Sequence, residues 1–300
     1  MAITIPFNRN FDPAYGSAET ISPLIRRVVA KNPGPFTFTG TGTYLIGREA
    51  VAVIDPGPDM ASHVGALLKA LEGQRVSHIL ITHTHRDHSP ASRALQAATG
   101  APIYAFGPHG SGRDDEGDPL EEGADRDFVF DVRLHHQDQV RGPDWTIEAV
   151  HTPGHTSNHL CFALLEESAL FTGDQVMGWS TSVVSPPDGD MAAYMRSLRE
   201  LMARDDAIYY PTHGPAILEP QAFVAALLAH REEREREILA CVAEGLATIP
   251  RMVERMYAAV PKGLHPAAAR SVLAHIIHLC ESGRLKTDGA PKADGRYRLR

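Results

Sequence analysis

The chain has 300 residues, 43% of them apolar, with 29 Lys/Arg against 37 Asp/Glu and a formal net charge of −8, which suits one large domain with a substantial core and a smaller second one. No run approaches the ~18 apolar residues of a membrane span, and residues 1–16 lack the basic start and apolar stretch of a secretory signal, so no membrane association and a cytoplasmic location are expected. Cys161, Cys241 and Cys280 are odd in number and widely separated, which argues for core thiols and against a disulfide framework.

In chain order, Leu24–Ala30 and Thr43–Ile46 read as the first strands, joined through the turn cluster Asn32-Pro33-Gly34-Pro35. The glycine-rich Gly40–Tyr44 lacks the lysine and following helix of a phosphate loop and is not read as one. Ala50–Ile54 is a further strand ending in Asp55-Pro56-Gly57, Met60–Leu71 is helical by its apolar spacing, and Ile79–Thr82 reads as the end of a buried strand, which completes a βαβ unit. The next six residues, His83-Thr84-His85-Arg86-Asp87-His88, put three imidazoles and a carboxylate into one turn. From composition alone His-x-His-x-Asp-His is expected on the order of 0.003 times, so the segment outlines a metal site. Ser89 is placed to cap the following helix, with Pro90 at its first position and Gly100 to stop it.

Gly107–Asp127 is polar and acidic without periodicity and reads as a solvated loop, with a substrate flap as the alternative. His109, His135 and His136 lie in this irregular region and receive no role. Three further candidate ligands each follow a short apolar strand: His155 after Trp145–Thr152, Asp174 after Ala169–Thr172 and His213 after Ala207–Tyr210. Sites in α/β proteins are built at such carboxyl ends of strands. His159, at the start of the strand Leu160–Leu164, is either a substrate contact or a locally satisfied ring. Trp179, in the apolar and hydroxyl-rich Met177–Ser182, is a candidate substrate contact with core packing as the alternative, and Met191–Ala203 has the spacing of an amphipathic helix.

Gln221–Glu244 reads as a long helix, and its run His230–Glu237 pairs opposite charges three and four apart, the pattern of a solvated face. Helices at Ile249–Ala259 and Pro266–Gly283 and a hairpin of Arg284–Thr287 with Arg296–Leu299 then describe a winged helix. The expected division is a catalytic domain over residues 1–220 and a linker helix with a winged-helix-like domain over 221–300. From Gly245 onward ten Lys/Arg against four Asp/Glu leave +6, so the total of −8 puts −14 on Met1–Glu244.

On His83–His88, Thr152-Pro153-Gly154-His155-Thr156, Phe171-Thr172-Gly173-Asp174 and Pro211-Thr212-His213-Gly214-Pro215, the chain resembles the metallo-β-lactamase superfamily. The resemblance implies an α/β fold, the αββα sandwich, here followed by the small winged-helix-like domain. Carried over position by position, it implies that His83, His85 and His155 hold one metal, that Asp87, His88 and His213 hold a second, and that Asp174 bridges them. It further implies that Asp55 is a buried aspartate supporting the ligands from behind, where a turn-forming aspartate is the plainer reading. Thr212 departs from the pattern, in which glycine often precedes the last histidine. The winged-helix tail and the opening from Asn32 to Tyr44 look like the lactamase-beta-2-like branch, whose best known animal members are endoribonucleases acting on single-stranded RNA.

Neutral imidazoles and carboxylates suit Zn²⁺, two ions per chain, with iron or manganese as alternatives at the same ligands. The expected activity is that of a binuclear metal-dependent hydrolase, in which a metal-bridging hydroxide, oriented by Asp87, cleaves a carboxylic ester, thioester, lactone or lactam. No Gly-x-Ser-x-Gly elbow offers a nucleophilic serine instead. The acidity of the catalytic portion favours a small-molecule substrate over a polyanion. The alternatives are an endoribonuclease, which would give the basic tail a purpose, and an iron-dependent sulfur dioxygenase. For the C-terminal domain, packing or a homodimer contact is preferred to nucleic-acid binding, because Ala267–Leu279 carries a single arginine, Arg270.

Overall fold

The computed structural model describes residues 4–111 and 123–300. Its first sheet runs β1 (Ala18–Thr20), β2 (Ile25–Val29), β3 (Gly42–Ile46), β4 (Ala50–Ile54), β5 (Arg75–Leu80), β6 (Ile103–Ala105) and β7 (Val132–Arg133), each beside the next. The first four strands are antiparallel, and β4 to β7 are parallel. Parallel neighbours need crossovers, and α1 (Ala61–Ala70) and α2 (Ala91–Thr99) supply two of them. The second sheet comprises β8 (Gln139–Arg141), β9 (Thr146–His151), β10 (Leu160–Leu164), β11 (Ala169–Gly173) and β12 (Ile208–Pro211), in the order β12-β11-β10-β9-β8. Only β11 and β12 are parallel within it, with α3 (Met191–Met202) between them in the chain.

Strand alternation sorts the side chains into layers. Along β3 and β4, Tyr44, Ile46, Ala52 and Ile54 face Leu160, Phe162 and Leu164 of β10 across the space between the sheets. Leu45, Val51 and Val53 face the other way, against Leu67 of α1 and Leu95 of α2. Cys161 and Ala163, on the opposite face of β10, pack with Tyr194 and Leu198 of α3 and with Phe223 and Leu227 of α4 (Pro220–Ala243). The result is two sheets face to face with helices on both outer surfaces, the αββα sandwich. The cysteines are free, and burial pushes the Cys161 thiol up to about 12, which keeps it a protonated core residue.

The C-terminal region has its own core. Ile238 and Val242 of α4 pack with Met252 and Val253 of α5 (Ile249–Met256), with Val272, Ile276 and Leu279 of α6 (His265–Glu281), and with Leu285 and Tyr297 at the hairpin of β13 (Leu285–Lys286) and β14 (Arg298–Leu299). One helix, α4, therefore contributes to two cores, its first half to the sandwich and its second half to the winged helix.

Three local expectations are corrected. Ser89 does not cap α2; that position belongs to Pro90, and the Ser89 hydroxyl donates to the buried Asp125 carboxylate at 2.9 Å. The stretch expected as a solvated loop is buried at two positions near its end, where Ala124 and Asp125 are 1% and 7% exposed and Arg93 pairs with Asp125 at 2.7 Å, while Arg126 and Asp127 are exposed as expected. Residues 112–122, which make up the middle of that loop or flap, lie outside the described residues. The charged run of α4 is not wholly a solvated face either. Arg231 and Glu235, four apart and so on one side of the helix, are 3% and 2% exposed, whereas Arg234–Glu237 and Arg236–Glu233 pair along the helix.

Candidate metal centre

The residues singled out by the sequence converge at one edge of the sandwich. The loop after β5 carries His83, His85, Asp87 and His88, the turn after β9 carries His155, and the ends of β11 and β12 deliver Asp174 and His213. Their ligand atoms form three overlapping groups, each within 4.8 Å: His83, His85 and His155; His83, His88 and Asp174; and Asp87, His88 and His213. In the first, His85 Nδ1 lies 2.9 Å from His83 Nε2 and 3.1 Å from His155 Nε2. In the third, Asp87 Oδ2 lies 3.1 Å from His213 Nε2 and 3.4 Å from His88 Nε2. Asp174 stands between them. Its Oδ1 is 3.4 Å from His213 Nε2 and 3.6 Å from His88 Nε2, and its Oδ2 is 3.7 Å from His155 Nε2.

What fixes the rings is hydrogen bonding from behind. His155 Nδ1 donates to the Val183 carbonyl at 2.6 Å and His213 Nδ1 donates to the Gly40 carbonyl at 3.1 Å. A carbonyl only accepts, so each ring must carry its proton on Nδ1 and turn an Nε2 lone pair towards the cluster. Asp55, fully buried, does the same for His88 at 2.9 Å. Its carboxylate also accepts from the Thr82 amide and hydroxyl, at 2.8 and 2.7 Å, and from the Thr212 hydroxyl at 3.1 Å. Because Thr82 gives its proton to Asp55, its oxygen is free to accept from His83 Nδ1 at 3.0 Å. Sequence reasoning does not find Thr82, Thr212, Gly40 and Val183 as site residues. Two of them act through backbone carbonyls, which no side-chain pattern reveals, while Thr212 is the position at which the sequence departs from the superfamily motif.

His159 is not brought to the substrate side. It is fully buried, with Nδ1 2.9 Å from the Thr152 hydroxyl and Nε2 accepting the Asp174 amide at 3.2 Å. It therefore holds the backbone of Asp174. A Cβ on Gly173, at φ +50°, would lie 2.5 Å from that same nitrogen, so glycine is required for the chain to turn Asp174 into the cluster.

Burial, then the neighbouring His88, His85 and His155 rings, push His83 well below the usual imidazole range, and burial followed by His85 lowers His155. For His88 burial acts downward but is outweighed by Asp87, Asp174 and Asp55, so it stands well above that range, and His213 is raised against burial by Asp174 and Asp87. The two carboxylates are in turn held low, because these rings outweigh their own burial. Asp87 and Asp174 thus call for positive charge on the Nε2 side of His88 and His213, where those rings present lone pairs. His88 Nε2, His213 Nε2 and Asp174 Oδ1 are buried and have no hydrogen-bond partner, an expensive arrangement for polar atoms facing one another. A divalent cation satisfies all three and supplies the missing charge, and the nitrogen and carboxylate donors suit such an ion. The residues present fit a metal.

The cluster forms the floor of a cavity of about 650 Å³. Its walls are largely apolar: Phe36, 65% exposed, Met177, Trp179, Val183 and Pro186. Trp179 reaches this cavity and is stacked on Phe38, with ring centroids 4.8 Å apart and planes at 14°.

The chain matches the family model for the metallo-beta-lactamase superfamily over residues 37–213 and that for the beta-lactamase associated winged helix domain over residues 248–294. It is 32% identical to the lactamase-like protein adaB of Aspergillus niger, over 97% of this chain and 94% of that protein. It is 35% identical to the atrochrysone carboxyl ACP thioesterase AgnL7 of Paecilomyces divaricatus, over 76% of this chain and 67% of that one. Among solved structures, a beta-lactamase domain protein from Burkholderia ambifaria superposes with a TM-score of 0.78 at 20% identity, covering 97% of this chain and 96% of its own. A metallo-beta-lactamase family protein from Thermus thermophilus does so with a TM-score of 0.74 at 21% identity, over 94% and 100%.

Proposed function

Since this chain belongs to the metallo-beta-lactamase superfamily, with that superfamily's associated winged helix domain at its C-terminus, we propose that it is a zinc-dependent hydrolase whose substrate is a carboxylic thioester. The observation that carries the reading is the placement of a cluster of buried, unpartnered ligand atoms at the floor of an apolar cavity wide enough for an acyl chain. Thioester hydrolysis is the activity that the name of the Paecilomyces divaricatus relative states for that protein.

In this reading His83, His85 and His155 would hold one cation and Asp87, His88 and His213 the other, with Asp174 a ligand available to both. When bound, such cations would lower the pKa of a water and polarise the thioester carbonyl. The protein's own contributions are positional. Val183, Gly40 and Asp55 keep the rings in the tautomer that presents Nε2. Asp87, the more exposed of the two carboxylates, would orient the attacking water by accepting a hydrogen bond from it. The apolar walls seat the acyl chain and exclude bulk water, which strengthens every charge interaction at the floor. A departing thiol ionises near pH 8.5, so its expulsion requires no general acid from the protein.

The test is turnover by the purified, zinc-loaded protein of acyl thioesters alongside oxygen esters, lactones, lactams and a short single-stranded RNA, each with an Asp174→Ala control. Thioester cleavage lost in the control supports the reading. RNA cleavage lost in the control, with thioesters untouched, replaces it by the endoribonuclease alternative. Oxidation of a persulfide by an iron-loaded preparation, with thioesters untouched, replaces it by the dioxygenase one.

A further inference from the structure

Arg270 lies on α6 of the winged helix, yet it lines the cavity above the metal cluster. Ala274, one helical turn further on, is 2% exposed and buried in the sandwich core among α3, α4 and the second sheet. Residues four apart share a helix face, so the face of α6 that carries Arg270 is the one turned towards the catalytic domain. The helix is held in that setting by Glu235 of α4, whose carboxylate accepts from His278 at 2.6 Å and pairs with Arg284 at 2.7 Å. The one arginine of Ala267–Leu279, though exposed, borders this cavity from the winged-helix side. It is part of the cavity wall.

The ionisable lining is one-sided. Apart from the cluster residues His85, Asp87, His155 and Asp174, the charged side chains bordering the cavity are Arg86 and Arg270, and among the described residues no carboxylate outside the cluster joins them. Arg86 is anchored through Nε to the Ala124 carbonyl at 3.2 Å, whereas Arg270 has no ion pair among the described residues. Residues 1–244 carry −14, so two arginines bordering an apolar pocket, with no carboxylate beyond Asp87 and Asp174 beside them among the described residues, stand out against their surroundings. A guanidinium matches carboxylate or phosphate with two parallel hydrogen bonds.

We infer that Arg270 is a specificity-determining residue that binds an acidic group, carboxylate or phosphate, borne by the substrate away from the reacting carbonyl, so that the winged helix completes the substrate cavity. The inference rests on the thioester reading for the identity of the reacting bond. The acidic group then lies either at the far end of the acyl chain or on the thiol arm.

The experiment uses two matched pairs of thioesters on the full-length, zinc-loaded protein. Hexanoyl and adipoyl thioesters of N-acetylcysteamine differ by a terminal carboxylate, and hexanoyl thioesters of pantetheine and phosphopantetheine differ by a phosphate. The wild type is expected to prefer the anionic member of one pair. Arg270→Ala is expected to shrink that preference in kcat/KM by roughly 10- to 100-fold, the size of one charge-assisted pairing, chiefly through KM. Arg270→Lys is expected to keep part of it. A collapse in the first pair assigns the carboxylate and in the second the phosphate. A wild-type preference that survives Arg270→Ala, or no preference in either pair, overturns the inference. Calorimetric binding of adipate and phosphopantetheine against hexanoate and pantetheine, in wild type and Arg270→Ala, reads the same residue without turnover. Loss of anion affinity there upholds Arg270 even if every thioester proves inert, in which case only the thioester reading falls.

Discussion

The Asp55 carboxylate receives the Nδ1 proton of His88 at 2.9 Å, both side chains being fully buried, and the same aspartate collects three further hydrogen bonds from Thr82 and Thr212. A single buried acceptor thus joins the strand that ends in the histidine loop to the strand that ends in His213. Asp55→Ala leaves the donors of His88, Thr82 and Thr212 unsatisfied and frees the His88 tautomer. Metal affinity should fall roughly 10- to 100-fold, read by competitive chelator titration, and stability by about 1–3 kcal/mol for each donor left buried without a partner.

Arg231 of α4 donates to the Ser182 carbonyl at 2.6 Å, and the next carbonyl, Val183, orients His155. Arg231→Met keeps bulk but removes the donor, leaving a buried carbonyl unpaired at a cost of about 1–3 kcal/mol. Because the perturbed loop holds His155, the first cation to be lost on chelator titration should come from the His83, His85 and His155 group. Unchanged metal stoichiometry and affinity in this variant would show that the loop holds its shape without the arginine.

Gly173→Ala is expected to lose metal out of proportion to its size. The new methyl would stand 2.5 Å from His159 Nε2, and the backbone there has φ +50°, a region that costs a non-glycine residue about 1–3 kcal/mol. Relief requires Asp174 to move, so metal content should fall together with thermal stability.

Stability should decline in acid through the contact of α4 with α6. Burial holds His275 down to about 4 against the opposing pull of Glu235, and Glu235, although its own burial acts upward, is held at about 2 by His275 and His278. Arg231, Arg284 and His230 complete the charged surroundings. Both folded-state values lie below the unfolded ones of 6.5 and 4.5, so the unfolded chain takes up protons first as pH falls. The stability each contributes is present above its unfolded value and is lost towards its folded one. For the metal-loaded protein the His275 part should remove about 2 kcal/mol between pH 7 and pH 5, read from urea midpoints, and His275→Gln should flatten that slope. The Glu235 part follows only below about pH 4.5.

Chelation should abolish turnover and lower the unfolding temperature, since ions that bind the folded state alone stabilise it by about 2.7 kcal/mol at a free concentration one hundred times Kd. Restoring zinc should recover both.

The sandwich, the winged helix and the seven residues that meet at the cluster were all legible along the chain. Strand alternation, helical spacing and the crowding of imidazoles after apolar strands are local patterns, set by backbone periodicity and by the few residue types able to hold a cation. Tertiary structure decided what depends on contacts between distant segments. It turned His159 from a substrate candidate into a support for Asp174, because the end of β11 lies against the start of β10. It drew Arg231 and Glu235 out of a run that reads as solvent-facing, because Arg231 meets the Ser182 carbonyl and the Tyr194 ring of the sandwich while Glu235 meets His278 and Arg284 of the winged helix. It recruited the Gly40 and Val183 carbonyls, which carry no side-chain signal at all, and it placed Arg270 of the winged helix over the catalytic cavity. A sequence pattern reports which face of an element is apolar; which partner covers that face, and what polar group the partner brings, is settled only when the chain is packed.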